Sequence, residues 1–292
     1  MKIALFGKVI NPDDLPILQS MIGKLESAGV EILLFEPFYI SSAKSLIFRF
    51  VPSFFSRKEE LVGKADYLFS IGGDGTLLDT ITLVGNSGLP VMGINMGRLG
   101  FLSSISKDHV ESAIDALLSG NIFLDRRTLL RLETEENLFG EFNYALNDIT
   151  IFKSPSVSML NIKAYINGEF LNTYWADGLI VATPTGSTAY SLSCTGPILT
   201  LDAEAFVITP IASHNLTVRP IVIPDDSEIR IEVIGRELEG YVGLDSRSER
   251  LDHFVKLIIR KEDFKFNIVR MKHTVFFKTI REKLNWGLDI RN

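Results

Sequence analysis

The chain is expected to fold as an α/β N-terminal domain with a parallel sheet, followed by a β-rich C-terminal domain. Over the first half, short apolar runs alternate with helix-length segments, the βαβ rhythm of a parallel sheet covered by helices. After about Arg126 the texture changes, and alternating strand patterns recur at short spacing. The 292 residues, 46% hydrophobic and 23% charged, suffice for one large core or two moderate ones. That composition excludes disorder, collagen and coiled coil as whole-chain classes.

Strands are expected at Lys2–Gly7, Val30–Phe35, Tyr67–Ile71 and Pro90–Ile94. Asn11-Pro12-Asp13-Asp14 is a helix-start signal, with proline and acids in the first turn, and Gly29 is its stop. Helices are expected over Thr76–Val84 and Lys107–Leu118, and a linker near Gly120–Arg126. The β-rich half reads as Leu129–Thr134, Phe142–Phe152, Leu160–Ile166, Phe170–Trp175 and Gly178–Ala182. It continues as Phe206–Ile211, Ile221–Ile223, Glu228–Val233, Val255–Arg260 and Lys265–Val269. Asn167-Gly168 is a strong two-residue hairpin signal, and His273–Asn285 reads as a closing helix. Tyr39–Phe55, with four phenylalanines among serine and basic residues, fits neither half. It reads either as a flap or membrane-surface patch, or as a long βα connection packed on its own sheet.

Composition narrows the partners. One cysteine, Cys194, cannot form an internal disulfide and removes every cysteine-based metal cluster. A reducing, cytoplasmic setting follows as an expectation. The first residues are too short an apolar stretch for a signal peptide, and no apolar run approaches the ~18 residues of a spanning helix. From His253 onward the charge is +6, which leaves −12 for the rest of a chain of net charge −6. The overall acidity argues against nucleic acid as the main partner.

The chemistry concentrates in three turns. Tyr67–Leu78 runs an apolar strand into Gly72-Gly73-Asp74-Gly75-Thr76 and straight into a helix. Glycines let backbone N–H groups approach a ligand, and the helix start adds a positive dipole end, so this is a candidate phosphate cradle. A carboxylate beside phosphates is costly unless it takes a proton or holds a metal. Asp74 is therefore a candidate general base, the alternative being a cap on the following helix. Gly93–Leu102 is a second glycine-rich turn after a strand, expected to flank the first. Gly178–Ser193, preceded by Asp177, is a third strand–turn–helix, dense in hydroxyls that could read phosphates or base edges. The patterns GxxxxGK[ST], GxGxxG and GxSxG are absent. The histidines His109, His214, His253 and His273 show no i, i+4 pair, so no zinc site is implied.

Together, Gly72–Thr76, Asn147-Asp148 and Asp177–Ser193 resemble the ATP-dependent NAD kinases, bacterial type, as do Gly93–Leu102 and His214–Pro224. The GGDGT turn alone is shared with lipid kinases, but Asp177–Ser193 is specific. The resemblance implies a fold like that of NAD and diacylglycerol kinases, with domains at 1–122 plus the tail 272–292, and at 123–271. It implies transfer of the γ-phosphoryl of ATP, with Mg²⁺, to the 2′-hydroxyl of the adenosine ribose of NAD, giving NADP. Asp74 then activates that hydroxyl, and Gly73, Gly75 and Thr76 bind phosphate. Asn147 and Asp148 hold the adenosine end and its ribose, and most relatives carry Glu at the second position. Asp177 helps hold the nicotinamide half, and Thr188, Ala189, Tyr190 and Ser193 form the dinucleotide wall, with Phe101 and Leu102 over the adenine. The resemblance further implies a homodimer or homotetramer acting on small-molecule nucleotides, without nucleic acid or membrane. Departures occur at Thr195, where relatives have glycine, at Ser246, which replaces the glycine of an Asp-Gly pair, and at Val218. Two readings compete: a lipid kinase, disfavoured by the second glycine loop, and an NAD(H)-sensing protein without turnover, disfavoured by Asp74, Asn147 and Asp148 together.

Overall fold

A computed structural model describes residues 1–97, 100–234, 240–251, 254–272 and 276–286. The chain divides into two units, Met1–Arg126 with Asn267–Asn292, and Arg127–Phe266.

The first unit is built on the strands Lys2–Gly7 (β1), Glu31–Phe35 (β2), Ser53–Phe55 (β3), Tyr67–Gly72 (β4), Val91–Asn95 (β5), Ile105–Ser106 (β6) and Ile122–Arg127 (β7). The order β3-β2-β1-β4-β5 is parallel throughout. Strands with both faces covered read as continuous apolar runs, which is why β1, β4 and β5 were legible. On one face Ile3, Leu5, Phe69, Ile71, Met92 and Ile94 share a core with Leu18, Met21, Ile22, Leu25, Ile114 and Leu117 of the helices Leu15–Ser27 and Val110–Leu118. On the other face Gly93 lies against Leu77 of the helix Asp74–Val84, where a Cβ would come within 2.8 Å of that side chain. The helix start at Asn11 is as expected, its side chain accepting from the Asp13 N–H at 3.1 Å.

Tyr39–Phe55 is pinned as a connection on its own sheet. It ends in β3, Phe55 is buried, and Gln19 and Glu26 bond the backbone of Ile47 and Phe50. Ile47, Phe50 and Val51 point outward.

The second unit consists of Leu130–Glu133 (β8), Tyr144–Ala145 (β9), Asp148–Lys153 (β10), Leu160–Ile166 (β11), Glu169–Ala176 (β12), Gly178–Ala182 (β13), Ala205–Ile211 (β14), Ile221–Pro224 (β15), Ile229–Ile234 (β16), Gly240–Leu244 (β17), Arg247–Leu251 (β18) and Val255–Lys261 (β19). Among the described residues these form two antiparallel sheets, β15-β14-β13-β10-β17-β18 and β12-β11-β16-β19-β8-β9. One core takes alternate residues from both, Ile149, Ile151, Leu179 and Val181 from the first and Ile162, Ile231, Leu257 and Ile259 from the second. Asn167 and Gly168 both have positive φ, 51° and 85°, as the tight hairpin between β11 and β12 demands.

Three expectations are corrected. Phe142–Phe152 is not one strand: it breaks at Leu146-Asn147, where the chain leaves the sheet of β9 for that of β10. Gly120–Arg126 is mostly strand β7 rather than linker. Phe266–Met271 (β20), expected as the last strand of the β-rich half, pairs parallel with β5, Ile268 opposite Val91. The hairpin β17–β18 carried no apolar alternation strong enough to be anticipated. The closing helix spans Phe276–Leu284. His273, and with it the start of the expected helix, lies outside the described residues, as do Arg98 and Leu99 of the second glycine turn, His253, Asp289 and Arg291.

Thr195 is strained. The helical turn Tyr190–Ser193 ends with Thr195 N–H bonded to Leu192 O (3.1 Å) and Gly196 N–H to Ser191 O (2.8 Å), the Schellman closure. Thr195 occupies its left-handed position at φ 66°, a place a β-branched residue rarely takes. Thr195→Gly is expected to raise stability by about 0.5–1 kcal/mol, the relieved strain being partly offset by the freer unfolded chain. Urea unfolding followed by circular dichroism measures it, and a lowered midpoint would contradict the strain.

Candidate active site

Strand β4 delivers Gly72 to the sheet's carboxyl end, where open α/β sheets place ligands. A Cβ on Gly72 would come within 2.3 Å of Thr76 Oγ1, so the turn itself requires glycine there. At Gly73 and Gly75 no such demand exists: φ is not positive, and an added Cβ meets nothing within 4 Å. Space is open over both residues at the start of the helix Asp74–Val84, so a ligand could approach the backbone closely.

Asp74 does not cap its own helix. Its carboxylate turns to the neighbouring loop and accepts three consecutive backbone N–H groups: Phe101 on Oδ2 at 2.8 Å, and Leu102 (3.1 Å) and Ser103 (2.8 Å) on Oδ1. The loop is shaped for this contact. A Cβ on Gly100 would fall 1.8 Å from Asp74 Oδ1, and Asn95, buried at the end of β5, accepts from Gly97 N–H at 2.8 Å. Arg270 on β20 donates to the Phe101 carbonyl at 3.0 Å. Asn95 and Arg270 were not anticipated; the Arg270 contact joins residues far apart in the chain. Phe101 is half-exposed, whereas the Leu102 side chain is buried, so Leu102 offers a ligand only what its backbone can.

In the second unit the chain corner at Leu146–Asp148 borders a cavity of about 560 Å³. Asn147, Asp148, Ala189 and Tyr190 line it, together with Thr150, Phe152 and Arg247, which the sequence had not singled out. Thr188, Ser193 and Asp177 lie outside that lining: Thr188 bonds back to Thr185 O at 3.2 Å, Ser193 is exposed, and Asp177 pairs with Lys153 at 3.3 Å. Asp148 is 7% exposed. Burial, reinforced by the nearby Asp245 carboxylate and opposed by the Thr150 hydroxyl, pushes its carboxyl up to about 7. Burial also raises the Tyr190 hydroxyl, helped by its contact with the Cys194 thiol and the charges of Asp177 and Asp148. The Cys194 thiol, half-buried, is raised as well, chiefly by burial.

Four of the hydroxyls in Gly178–Ser193, a segment expected to offer hydroxyls to a ligand, are not open to one. Thr183, Thr185, Ser187 and Ser191 are buried and spent within the protein. Thr183 Oγ1 donates to Leu146 O (2.6 Å) and accepts from Gly186 N–H, Arg127 donates to Thr185, and Ser187 donates to Pro184 O. Ser191 pairs with Thr209 at 2.8 Å. A corner this tight leaves backbone groups that only short hydroxyls can reach. Gly186 is equally constrained, since a Cβ would lie 2.0 Å from Asn147 O.

A glycine turn open over a helix start, an oriented carboxylate beside it, and a β-rich unit with an acid-lined cavity are the equipment of a nucleotide-dependent phosphotransferase. Comparison with known proteins makes the assignment specific. Residues 55–122 match the model of the ATP-NAD kinase N-terminal domain, and residues 146–271 that of the ATP-NAD kinase C-terminal domain. A protein of Cytophaga hutchinsonii named NAD kinase is 45% identical over all of both chains, and one of Flavobacterium psychrophilum with the same name 42%. Among solved structures, yeast NADH kinase complexed with NADH superposes with a TM-score of 0.87 at 26% identity, covering all of this chain and 89% of the other. An Archaeoglobus fulgidus NAD kinase in complex with ATP gives 0.76, covering 98% and 99%, and at 24% identity speaks for the fold. The chain belongs to the ATP-NAD kinase family. It is a kinase with the expected fold, an α/β unit and a β-rich unit, and NAD kinase is the activity expected of it. Among the described residues no helix is long and apolar enough to cross a membrane.

Gly100 tests the Asp74 contact. Gly100→Ala drives a methyl group into the carboxylate and is expected to lower kcat about 100-fold, the effect of a misplaced reacting group. Gly97→Ala, where a Cβ meets nothing closer than 3.9 Å, is expected to leave kcat within about threefold. Steady-state kinetics on both variants decides, and equal kcat values would mean that the contact does not govern turnover.

Proposed function

We propose that the chain transfers the γ-phosphoryl group of ATP to the 2′-hydroxyl of the adenosine ribose of NAD, giving NADP and ADP, and thus works in NADP biosynthesis. Asp74 is the base in this reading. The observation that carries it is the aim of that carboxylate. An ionised carboxylate has about four acceptor directions; three are held by the N–H groups of Phe101, Leu102 and Ser103. Among the described residues, one remains on Oδ2 for a hydroxyl. The ribose oxygen forms its bond to phosphorus while the bond to the leaving ADP oxygen breaks, and the hydroxyl proton passes to Asp74. Such a transfer asks for positioning and charge neutralisation more than covalent help, and a carboxylate assists only as the proton leaves.

The open space over Gly73 and Gly75 and the place of Thr76 in the first turn of the helix Asp74–Val84 support a phosphate-binding role for these residues. The cavity supports Asn147 and Asp148 as holders of the ribose, two acceptor-bearing groups for a diol, with Ala189 and Tyr190 as wall. Phe101, Leu102, Asp177, Thr188 and Ser193 complete the dinucleotide-binding set. Among the described residues no group of three or more His, Cys, Asp or Glu side chains could hold a metal ion. Mg²⁺ would be held by the phosphates of ATP, as hard, oxygen-seeking ions are in kinases, and would neutralise their charge. A cytoplasmic setting fits a chain with one cysteine, and a homodimer or homotetramer is the assembly that the family resemblance supports.

The direct test incubates the pure protein with ATP, Mg²⁺ and NAD and reads NADP through an NADP-specific dehydrogenase. Folded protein that binds NAD yet forms no NADP above blank would sink the reading. Asp74→Asn is expected to lower kcat by ~10²–10⁴ with NAD affinity changed only a few-fold; near-normal turnover would make Asp74 structural.

Asp148 supplies a pH signature. Its ionised form accepts hydroxyl hydrogens, so KM for NAD should rise as pH falls through about 7 while KM for ATP stays level. Asp148→Ala should raise KM for NAD more than that for ATP; equal effects would count against the ribose role.

A further inference from the structure

The segment Leu146–Asp148 belongs to neither sheet's ladder in full, yet its backbone is completely bonded. Thr183 takes two of its carbonyls, Leu146 O through Oγ1 and Asn147 O through its own N–H. Asp245 N–H takes the third, Asp148 O, at 3.1 Å. All three N–H groups go to the Asp245 carboxylate: Leu146 to Oδ2 at 2.8 Å, Asn147 and Asp148 to Oδ1 at 2.7 and 3.2 Å. Asp245 stands in the two-residue turn of the β17–β18 hairpin, where Leu244 pairs with Arg247, and holds φ at 54°. The left-handed residue of this turn is therefore the aspartate, a type that tolerates the conformation. Ser246, the departure from the family's Asp-Gly pair, is not at positive φ. From the far side of the same turn, Arg247 donates to the carbonyls of Phe142 and Tyr144. The hairpin thus grips one stretch of chain by its amides and its carbonyls, ninety-seven residues or more away in sequence.

We propose that Asp245 is a positioning residue for the phosphoryl acceptor: it fixes the backbone of Asn147 and Asp148 so that their side chains face the cavity. The proposal rests on the reading of those two residues as the ribose holders. With the backbone of 146–148 satisfied, neither side chain is recruited to mend it. Three successive amides aimed at one anion form the concave arrangement that elsewhere binds phosphate, and here the protein's own carboxylate fills it.

Among the described residues, the groups around Asp148 are Asp245 and the cation Arg247 from the hairpin, Thr150 from its own strand, and Tyr190 and Cys194 from the turn after β13. Tyr190 and Cys194 are both raised, hence neutral near pH 7, so Asp245 is the carboxylate whose removal should alter the titration of Asp148.

The test compares Asp245→Asn and Asp245→Glu with the parent protein in steady-state kinetics across pH, folding being checked by near-ultraviolet circular dichroism. Asp245→Asn is expected to raise KM for NAD about tenfold with KM for ATP within about twofold. The pH midpoint of the NAD KM is expected to move down by about half a unit or more, because one negative neighbour of Asp148 is gone. Asp245→Glu keeps the charge but displaces the gripped backbone by a methylene. It should raise KM for NAD with an unshifted midpoint, and it carries the test alone if the Asn variant does not fold. An NAD KM within about twofold of the parent in the folded variants, or KM values for NAD and ATP rising in step, overturns the proposal. An unmoved midpoint in Asp245→Asn does so too. If Asp148→Ala raises KM for NAD while the Asp245 variants do not, the positioning role alone falls. If Asp148→Ala has no effect either, the ribose reading falls with it.

Discussion

Each of the two units depends on the same interaction, a carboxylate that accepts three successive backbone N–H groups from a loop distant in sequence. Asp74 does this for Phe101–Ser103, and Asp245 for Leu146–Asp148. Amides left facing the same way at a chain corner are expensive to bury without a partner. A carboxylate settles three of them at once, and charge-assisted bonds are the stronger kind. Each loop then has one shape available to it. The glycines around the two contacts follow from that shape: Gly100 because of Asp74, Gly186 because Asn147 O lies where its side chain would be.

The same interaction explains how an acidic chain can serve phosphate-rich ligands. The net charge of −6 is a property of the whole surface, whereas phosphate meets only local potential. In the function proposed above, backbone amides at the open glycine turn and the start of the helix Asp74–Val84 supply that potential. The Asp74 carboxylate beside them is no loose negative charge, since its oxygens are largely committed to N–H groups. Net charge is a guide to solubility and encounter, and a poor one to the chemistry of a pocket.

How far the molecule could be read from its residues depends on the range of the interactions. The strands β1, β4 and β5, the start at Asn11 and the Asn167-Gly168 hairpin rest on local periodicity or turn chemistry, and they appear where expected. Phe142–Phe152 looks like one strand because apolar residues recur on both sides of Asn147-Asp148. What interrupts it is the pull of Asp245 on three amides, a contact that no local window contains. β20 looks like a member of the β-rich half for a similar reason, as pairing with β5 leaves no mark on its own composition. In the site, Asp74 could be singled out by its glycine setting, but not its turn away from the helix it begins. Thr183, Thr185, Ser187 and Ser191 were misread because a hydroxyl that mends a corner and one that meets a ligand are the same letters. Asp245 was marked only by the family's Asp-Gly pair and Arg247 by nothing, and the importance of both lies in what they touch.

The single cysteine has a use beyond its implications for compartment. Cys194 is half-buried and hydrogen-bonded to Tyr190, a residue that lines the cavity. A thiol-reactive fluorophore or a fluorinated tag would attach at this one position in the unaltered protein. Because burial raises the thiol, coupling will be slow at neutral pH and will call for mildly alkaline conditions. Nature has left one spectroscopic handle in the chain, a hydrogen bond away from the cavity wall.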